Sequence, residues 1–230
     1  TMVKRPLVTG TFDVQKMTFE EIEAAGIDIS DPENQHIVKI NVQLTYTNSE
    51  NQVLDFHYNV VNGQIVGGEE DFGGEFIVDG GDYGPVKLIP GILATDNGDM
   101  PTAVAILELP LEASMLKEFF HVKLHIMNNA SGEFSMVDNV VTLEIPDGLS
   151  LMDSAYSSAS PVFRIPEIPG GETETAHWIL RGDEEGDYHL RADYVGTLAQ
   201  FNRTVRTTFE TKEPLQVRGL SGLKLLVEAD

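Results

Sequence analysis

Hydrophobic and polar residues alternate along much of the chain, a pattern typical of β-strands that bury only one face. The clearest run has its apolar residues at Val38, Ile40, Val42, Leu44 and Tyr46. The next run repeats the pattern over residues 54–60, and the polar segment 48–51 between the two runs is a turn signal. We therefore expect these two runs to form an antiparallel hairpin in the first half of the chain.

The second half contains a longer series of short apolar segments separated by turn signals. The predicted strands include residues 122–126, 140–145, 162–165, 176–180, 188–194 and 205–210. About seven short strands with regular turns are typical of an immunoglobulin-like (Ig-like) sandwich. The pattern thus predicts an Ig-like β-sandwich in this half of the chain.

Two segments depart from the period of two. Thr18 and Glu21 are spaced as a capping box, in which each side chain accepts from the other's backbone amide, and Gly26 can end the short helix that follows. Residues 110–117 change toward a helical period, and we place a domain boundary there. The prediction is an all-β chain with one or two short helices and two tandem β-sandwich domains. The predicted first sandwich domain spans residues 1–115, and the predicted Ig-like domain spans residues 116–213. Residues 214–230 are predicted to be a linker or strand that leads toward a further module.

One stretch of the second half has the spacing of a tyrosine corner, a turn that braces one end of an Ig-like sandwich. This spacing is formed by Asp183, Gly186 and Tyr188, with Leu190 where antibody domains place their second cysteine. The same stretch contains Arg181-Gly182-Asp183, a tripeptide that some cell-adhesion receptors recognise. Two interpretations stay open: the turn could present this tripeptide to a receptor, or Gly182 and Asp183 could serve the turn itself.

Charge and composition narrow the classes of partner. The chain has 15 basic and 37 acidic residues, a net charge of −22, which argues against binding nucleic acid or anionic membrane surfaces. It has no cysteine, so disulfides, thiolate metal sites and a cysteine nucleophile are excluded. The start of the chain has no apolar signal core and its end has no anchoring motif, so we expect a segment of a longer exported protein.

Several motifs of the second half together resemble a known group of modules. They are Asn128-Asn129-Ala130, the segment Leu143 to Leu149, Ile168-Pro169-Gly170-Gly171, Trp178, and the segment Gly186 to Leu190. Their order is similar to that in Ig-like repeats of bacterial surface and secreted proteins, nearest in pattern to cell-adhesion-related (CARDB-like) modules, over residues 119–212. This resemblance implies a spacer or adhesion module outside a bacterium, in a polypeptide with several such modules, and it implies no chemistry.

Acidic residues concentrate in a glycine-rich segment of the first half. Carboxylate oxygens at this density could hold Ca²⁺, and the candidate ligands are Glu69, Glu70, Asp71, Asp79 and Asp82. None of these stretches follows the Asp-x-Asp-x-Asp-Gly calcium loop, so solvated acidic turns are the alternative interpretation. Phe72 and Tyr83 in the same segment could contribute to a carbohydrate-binding surface.

The sequence contains no recognisable catalytic motif. It has neither a Gly-x-Ser-x-Gly elbow nor a phosphate-binding glycine loop before a helix. His121 and His125 fall on the same side of a predicted strand and could share a metal ion, but the sequence suggests no third ligand. Histidines on a strand surface are the simpler interpretation.

We therefore expect a non-enzymatic structural, adhesion or spacer segment of a larger bacterial cell-surface or secreted protein. Its expected partners are neighbouring modules and an unidentified protein or glycan at a cell surface, with no nucleic acid and no membrane insertion. The alternative is a carbohydrate- or calcium-binding accessory module of an extracellular enzyme. No cofactor is expected, apart from calcium under that alternative.

Overall fold

The structure is a computed structural model, and it describes residues 7–31, 37–47, 52–61, 64–68, 75–79, 84–95, 103–113, 115–128, 130–153 and 160–219. The first half of the chain contributes β1 (Leu7–Lys16), α1 (Phe19–Ala24), β2 (Ile37–Thr47), β3 (Gln52–Val61), β4 (Gln64–Gly68), β5 (Phe76–Asp79), β6 (Pro85–Ile92), β7 (Ala94–Thr95), β8 (Ala103–Pro110) and β9 (Glu112–Ala113). The second half contributes β10 (Phe119–Asn128), β11 (Met136–Glu144), β12 (Leu149–Met152), β13 (Val162–Ile165), β14 (Thr173–Gly182), β15 (Gly186–Tyr188), β16 (Arg191–Leu198), β17 (Arg203–Glu210) and β18 (Leu215–Val217). The predicted all-β class is confirmed.

The first four strands form an antiparallel sheet in the order of the sequence. The predicted hairpin is confirmed as β2 and β3, with Val42 opposite Phe56 in the register. The predicted capping box is also present before α1. The Thr18 hydroxyl accepts from the Glu21 amide at 3.3 Å, and the Thr18 amide donates to the Glu21 carboxylate at 2.7 Å.

The remaining strands form a sandwich with the strand order of an Ig-like domain. One sheet has the order β12-β14-β10-β8-β6-β5 and the other has β13-β11-β16-β17-β7. In Ig constant-type domains the two sheets are ABED and CFG. Strands β8, β10, β11, β12, β14, β16 and β17 take the places of A to G in chain order. The predicted β-sandwich is therefore present, its strand order is that of an Ig constant-type domain, and β5, β6, β7 and β13 are additional strands.

Strand pairing continues across the position of the predicted domain boundary near residue 115. Strand β8 precedes this position and β10 follows it, yet they pair in one antiparallel register from Lys123 opposite Glu108 to Asn128 opposite Ala103. Strands β5 to β8 all fall within the predicted first domain, 1–115, yet they belong to the two sheets of this sandwich.

The core fills the space between the two sheets and is almost entirely apolar. Alternate residues of β10 point into it, so Val122, Leu124 and Ile126 are fully buried. Trp178 on β14 is also fully buried, in a T-shaped contact with Phe163 at a centroid distance of 5.9 Å. Its indole N–H donates to the Ser160 carbonyl at 3.1 Å, so the one polar atom of this side chain has a partner.

A small three-stranded sheet closes one end of the sandwich. It has the order β15-β18-β9, and β18 contributes Leu215 and Val217 to the same core. Residues 214–219, which the sequence assigned to a linker or strand, therefore include a strand packed on the sandwich.

Candidate functional site

The predicted tyrosine corner is present at this closed end. The Tyr188 hydroxyl donates to the Glu184 carbonyl at 2.9 Å, the bond back to the preceding backbone that defines the motif. The amides of Asp183 and Glu184 both donate to the Gly148 carbonyl, at 2.8 and 3.1 Å. The turn after β14 is thus tied both to the tyrosine and to the turn before β12.

Gly148 lets the tyrosine ring come close to the backbone. Its φ is +97°, and a Cβ at this position would lie 2.3 Å from the Tyr188 hydroxyl oxygen. Only glycine combines that backbone conformation with the space the ring needs. The contact between Gly148 and Tyr188 could not be predicted from the sequence, since 40 residues separate the two positions.

The structure places the Arg-Gly-Asp tripeptide at the end of β14, within this corner. The Arg181 Nε donates to Asp183 Oδ1 at 2.8 Å, so the cation and the carboxylate of the tripeptide contact each other. Gly182 between them is buried, and a Cβ there would lie 2.6 Å from Val217 Cγ1. The close approach of β18 therefore requires a residue without a side chain at this position.

A third residue, Lys117, completes the charge cluster at the corner. Its Nζ lies 2.7 Å from Asp183 Oδ1 and 3.3 Å from the Asp183 carbonyl oxygen. The hydrogen bond from Lys117, together with that from Arg181, holds the pKa of the Asp183 carboxyl well below its usual value of 3.8. Sequence reasoning missed Lys117, because it is 66 residues from Asp183 and no local pattern joins them.

A second cluster of charged side chains lies on the face of the six-stranded sheet that points away from the core. Glu108 on β8 is its centre. One carboxylate oxygen accepts from Lys123 Nζ at 2.5 Å, and the other lies 2.8 Å from His125 Nε2. The opposite ring nitrogen of His125 lies 3.0 Å from the Thr175 hydroxyl.

The side chains in these contacts are buried, and burial affects the pKa of Glu108. The Glu108 and His125 side chains are only 6% and 5% exposed. Burial by itself would raise the pKa of Glu108, but the hydrogen bonds and charges of His125 and Lys123 outweigh this effect and hold that pKa below its usual value. Glu108 therefore stays ionised, and it compensates the charge of Lys123.

The two histidines that the sequence placed on one side of a strand do lie on the same face of β10, but each has a different partner. His125 contacts Glu108 and Thr175, whereas His121 contacts His177 on β14. His121 Nδ1 and His177 Nε2 are 2.7 Å apart, and the two rings stack with centroids 5.0 Å apart and an interplanar angle of 19°. Sequence reasoning did not pair these two, because 56 residues separate them.

The buried side chain of Lys87, on β6 of the six-stranded sheet, contacts the segment before β18. Lys87 Nζ lies 2.6 Å from the Glu75 carboxylate and donates to the Glu213 carbonyl at 2.7 Å. The same carboxylate accepts from the Lys212 amide at 2.6 Å. Because the Lys87 side chain is 1% exposed, its charge is compensated within the protein and contributes to the fold.

Most of the calcium candidates lie outside the described residues. These are Glu69, Glu70, Asp71 and Asp82, as well as Phe72 and Tyr83 of the predicted carbohydrate surface. Asp79 is the last residue of β5. Among the described residues, no group of three or more His, Cys, Asp or Glu side chains is arranged to hold a metal ion.

Within the part of the chain that the structure describes, no helix is long and apolar enough to cross a membrane. A scan against protein-family models finds no match for the sequence, and a search of curated proteins finds none either.

Proposed function

We propose that this chain is a non-enzymatic structural, adhesion or spacer segment of a larger cell-surface or secreted bacterial protein. The observation that carries the proposal is the Ig-type strand order closed at one end by the tyrosine corner. Sandwiches of this type are frequent among cell-surface modules. The motif order of residues 119–212, similar to that of CARDB-like repeats, adds the bacterial surface setting.

The contacts of the charged side chains support a structural role. Asp183 is held by Arg181 and Lys117, Glu108 by Lys123 and His125, and Lys87 by Glu75. Each group therefore compensates a partner in the same chain. The arrangement favours a receptor-independent role for the tripeptide, because its carboxylate and its guanidinium are already paired with each other.

Ligand-binding measurements on the recombinant chain test the proposal. A spacer should give no signal on a glycan array, and its thermal unfolding midpoint should not change when millimolar Ca²⁺ replaces a chelator. A bound ligand stabilises the folded state by mass action, so a site would be visible as a higher midpoint. A glycan signal or a calcium-dependent shift of several degrees would instead establish the accessory-module alternative.

A further inference from the structure

The carboxylate of Glu75 joins the beginning of the sandwich to its end. Glu75 directly precedes β5, the first strand of the sandwich in chain order. It accepts from the Lys212 amide at 2.6 Å and from the Glu213 amide at 3.3 Å, both in the segment between β17 and β18. These contacts join residues that are 137 and 138 positions apart, and every strand of the sandwich from β5 to β17 lies between them.

The ammonium group of Lys87 strengthens this junction. It lies 2.6 Å from the second carboxylate oxygen of Glu75, and it donates to the Glu213 carbonyl at 2.7 Å. The Lys87 and Glu75 side chains are only 1% and 8% exposed, so water competes little for these bonds. One buried ion pair thus holds both the residue where the chain enters the sandwich and the segment before its last strand.

We propose that the contacts of Glu75 with Lys87 and with residues 212–213 form a clasp, which keeps the sandwich closed when the chain is pulled from both sides. This inference rests on the proposed structural or spacer role, because a spacer in a surface protein transmits tension between its neighbours. The clasp passes that tension from residue 75 to residue 213 and so shields the strands between them.

The pairing of β5 shows why the sandwich needs such a clasp. Strand β5 is at the edge of its sheet and pairs only with β6, over four positions. A pull on its N-terminal end would open these pairs one after another, so that each bears the tension alone. Glu75 is at that end, and peeling cannot begin until its bonds break.

Strand β18 lies outside the clasp, on the other side of residue 213. It pairs with β9 over two positions and with β15 over three, and Leu215 and Val217 are buried in the core. A pull from the C-terminal side therefore loads β18 first. If β18 detaches, the clasp still holds the remaining strands together.

The clasp should act mainly on the rate of unfolding. Contacts between residues so far apart in sequence form late in folding, since a long loop must first be closed at a cost in entropy. Interactions that are absent from the transition state slow unfolding and leave the folding rate nearly unchanged. A spacer under tension is protected by slow unfolding.

Single-molecule stretching of the full chain by handles at its two termini tests the proposal. The wild-type sandwich should open in one main event that releases the chain between residues 75 and 213. Their 138 positions correspond to roughly 500 Å of extended chain at about 3.6 Å per residue. Since the clasp holds the two residues in contact in the folded state, nearly all of this length should appear as extension.

Glu75→Gln removes the charge that pairs with Lys87, and it should lower the force of the main event and divide it into shorter steps. In urea, followed by Trp178 fluorescence, its unfolding rate should rise by about tenfold or more at an unchanged refolding rate. The matched control is Glu112→Gln, because Glu112 contacts Arg218 beside β18 at 3.9 Å and both side chains are about half exposed. It should change neither the force nor the rates.

A second variant keeps the test valid if Glu75→Gln does not fold. Glu75→Leu combined with Lys87→Met replaces the buried ion pair by apolar side chains of similar size, which often preserves equilibrium stability. It removes the bonds to residues 212–213, so it should still show the lower force and the divided release.

Two results would overturn the clasp. One is a wild-type main event much shorter than the span from 75 to 213, and the other is an unchanged force and unfolding rate in the double variant. A glycan or calcium signal would contradict the spacer role, whereas these measurements test the clasp itself, so the two failures are distinguishable.

Discussion

The corner at residues 181–190 and the histidine face of the six-stranded sheet are both polar clusters, but they are built differently. At the corner, Tyr188 bonds a carbonyl four residues before it and Arg181 contacts a carboxylate two residues after it. On the histidine face, the contacts of Glu108 with Lys123 and His125 span 15 and 17 residues, and the two histidines that stack are 56 residues apart. The corner therefore combines hydrogen bonds that are local in sequence with the close approach of distant segments at its glycines, whereas the contacts of the histidine face all depend on strand register.

This difference determines what kind of substitution damages each region. The corner should be most sensitive to added volume at its glycines, and the histidine face to loss of a charge. Trp178 is the only tryptophan and is fully buried in the sandwich core, so its fluorescence reports unfolding of this sandwich in every variant below.

Gly148→Ala should have the largest effect. The new methyl group would collide with the Tyr188 hydroxyl, and alanine would be strained at a φ of +97°. Strain and overpacking together should lower the free energy of unfolding by about 3 to 4 kcal/mol, measured by urea denaturation.

The control for this variant is Gly171→Ala, at a φ of +84° with no atom within 4 Å of the added Cβ. It should cost only the backbone strain, roughly 1 to 2 kcal/mol. Equal losses in the two variants would contradict the packing of Tyr188 on Gly148.

Glu108→Gln should have the second-largest effect and should lower the free energy of unfolding by about 3 kcal/mol. It leaves Lys123 and His125 without the carboxylate that they contact at a buried position. The glutamine keeps the shape of the side chain, so the loss of stability measures the contribution of the negative charge. Glu144→Gln, on an exposed position of β11, is the control and should stay within about 0.5 kcal/mol of the wild type. A similar small change for Glu108→Gln would show that the cluster contributes little.

Tyr188→Phe should lower the free energy of unfolding by about 1 kcal/mol, since it removes one hydrogen bond and leaves the ring packing in place. Tyr188→Phe removes the hydrogen bond, whereas Gly148→Ala disturbs the packing of the ring. Comparison of the two variants in the same urea experiment therefore separates these two contributions of Tyr188 to stability. No loss in Tyr188→Phe would mean that water replaces the bond to the Glu184 carbonyl at no cost.

Asp183→Asn should have the smallest effect on the free energy of unfolding, and that effect should depend on pH. The pKa of Asp183 is held below its usual value of 3.8 in the folded state, chiefly by the hydrogen bond from Lys117, and Arg181 also lowers it. Its contribution to stability is therefore present above that value and is lost as the pH falls through the lower folded pKa.

The measurement is the free energy of unfolding between about pH 4.5 and about pH 2.5. The asparagine variant should lose less stability over this interval than the wild type. Asp187→Asn, an exposed neighbour, should follow the wild-type curve. Parallel curves for all three proteins would contradict the paired state of Asp183.

The same contrast explains how far the sequence predicted the molecule. Period-two alternation and the spacing around Tyr188 depend on residues close together in the chain, and they predicted the β class, the Ig-like sandwich and the corner. Glu108 and His177 could not be paired with their partners in advance, because the register of distant strands brings those side chains together. Lys117 lies in the turn before β10, and its contact with Asp183 likewise joins segments that are far apart in sequence.

The region around residue 115 shows why the pairing of strands into sheets could not be predicted from the sequence. Residues 103–109 are buried on both faces of β8, so this strand lacks the alternation of a half-buried strand. The change of period that followed suggested a boundary, whereas backbone pairing carries the sheet from β8 to β10. Hydrophobic patterns do not reveal which strands pair across a connection that is irregular in sequence.

Comparison of cell attachment with stability in one variant tests most directly whether the tripeptide serves the fold. Cells whose adhesion depends on Arg-Gly-Asp would be plated on immobilised wild-type and Asp183→Ala chains, and urea unfolding would be followed in the same preparations. If the tripeptide serves the fold, the variant should have a lower unfolding midpoint, because Lys117 and Arg181 lose their carboxylate, and cells should attach equally to both surfaces. Loss of attachment with an unchanged midpoint would contradict it.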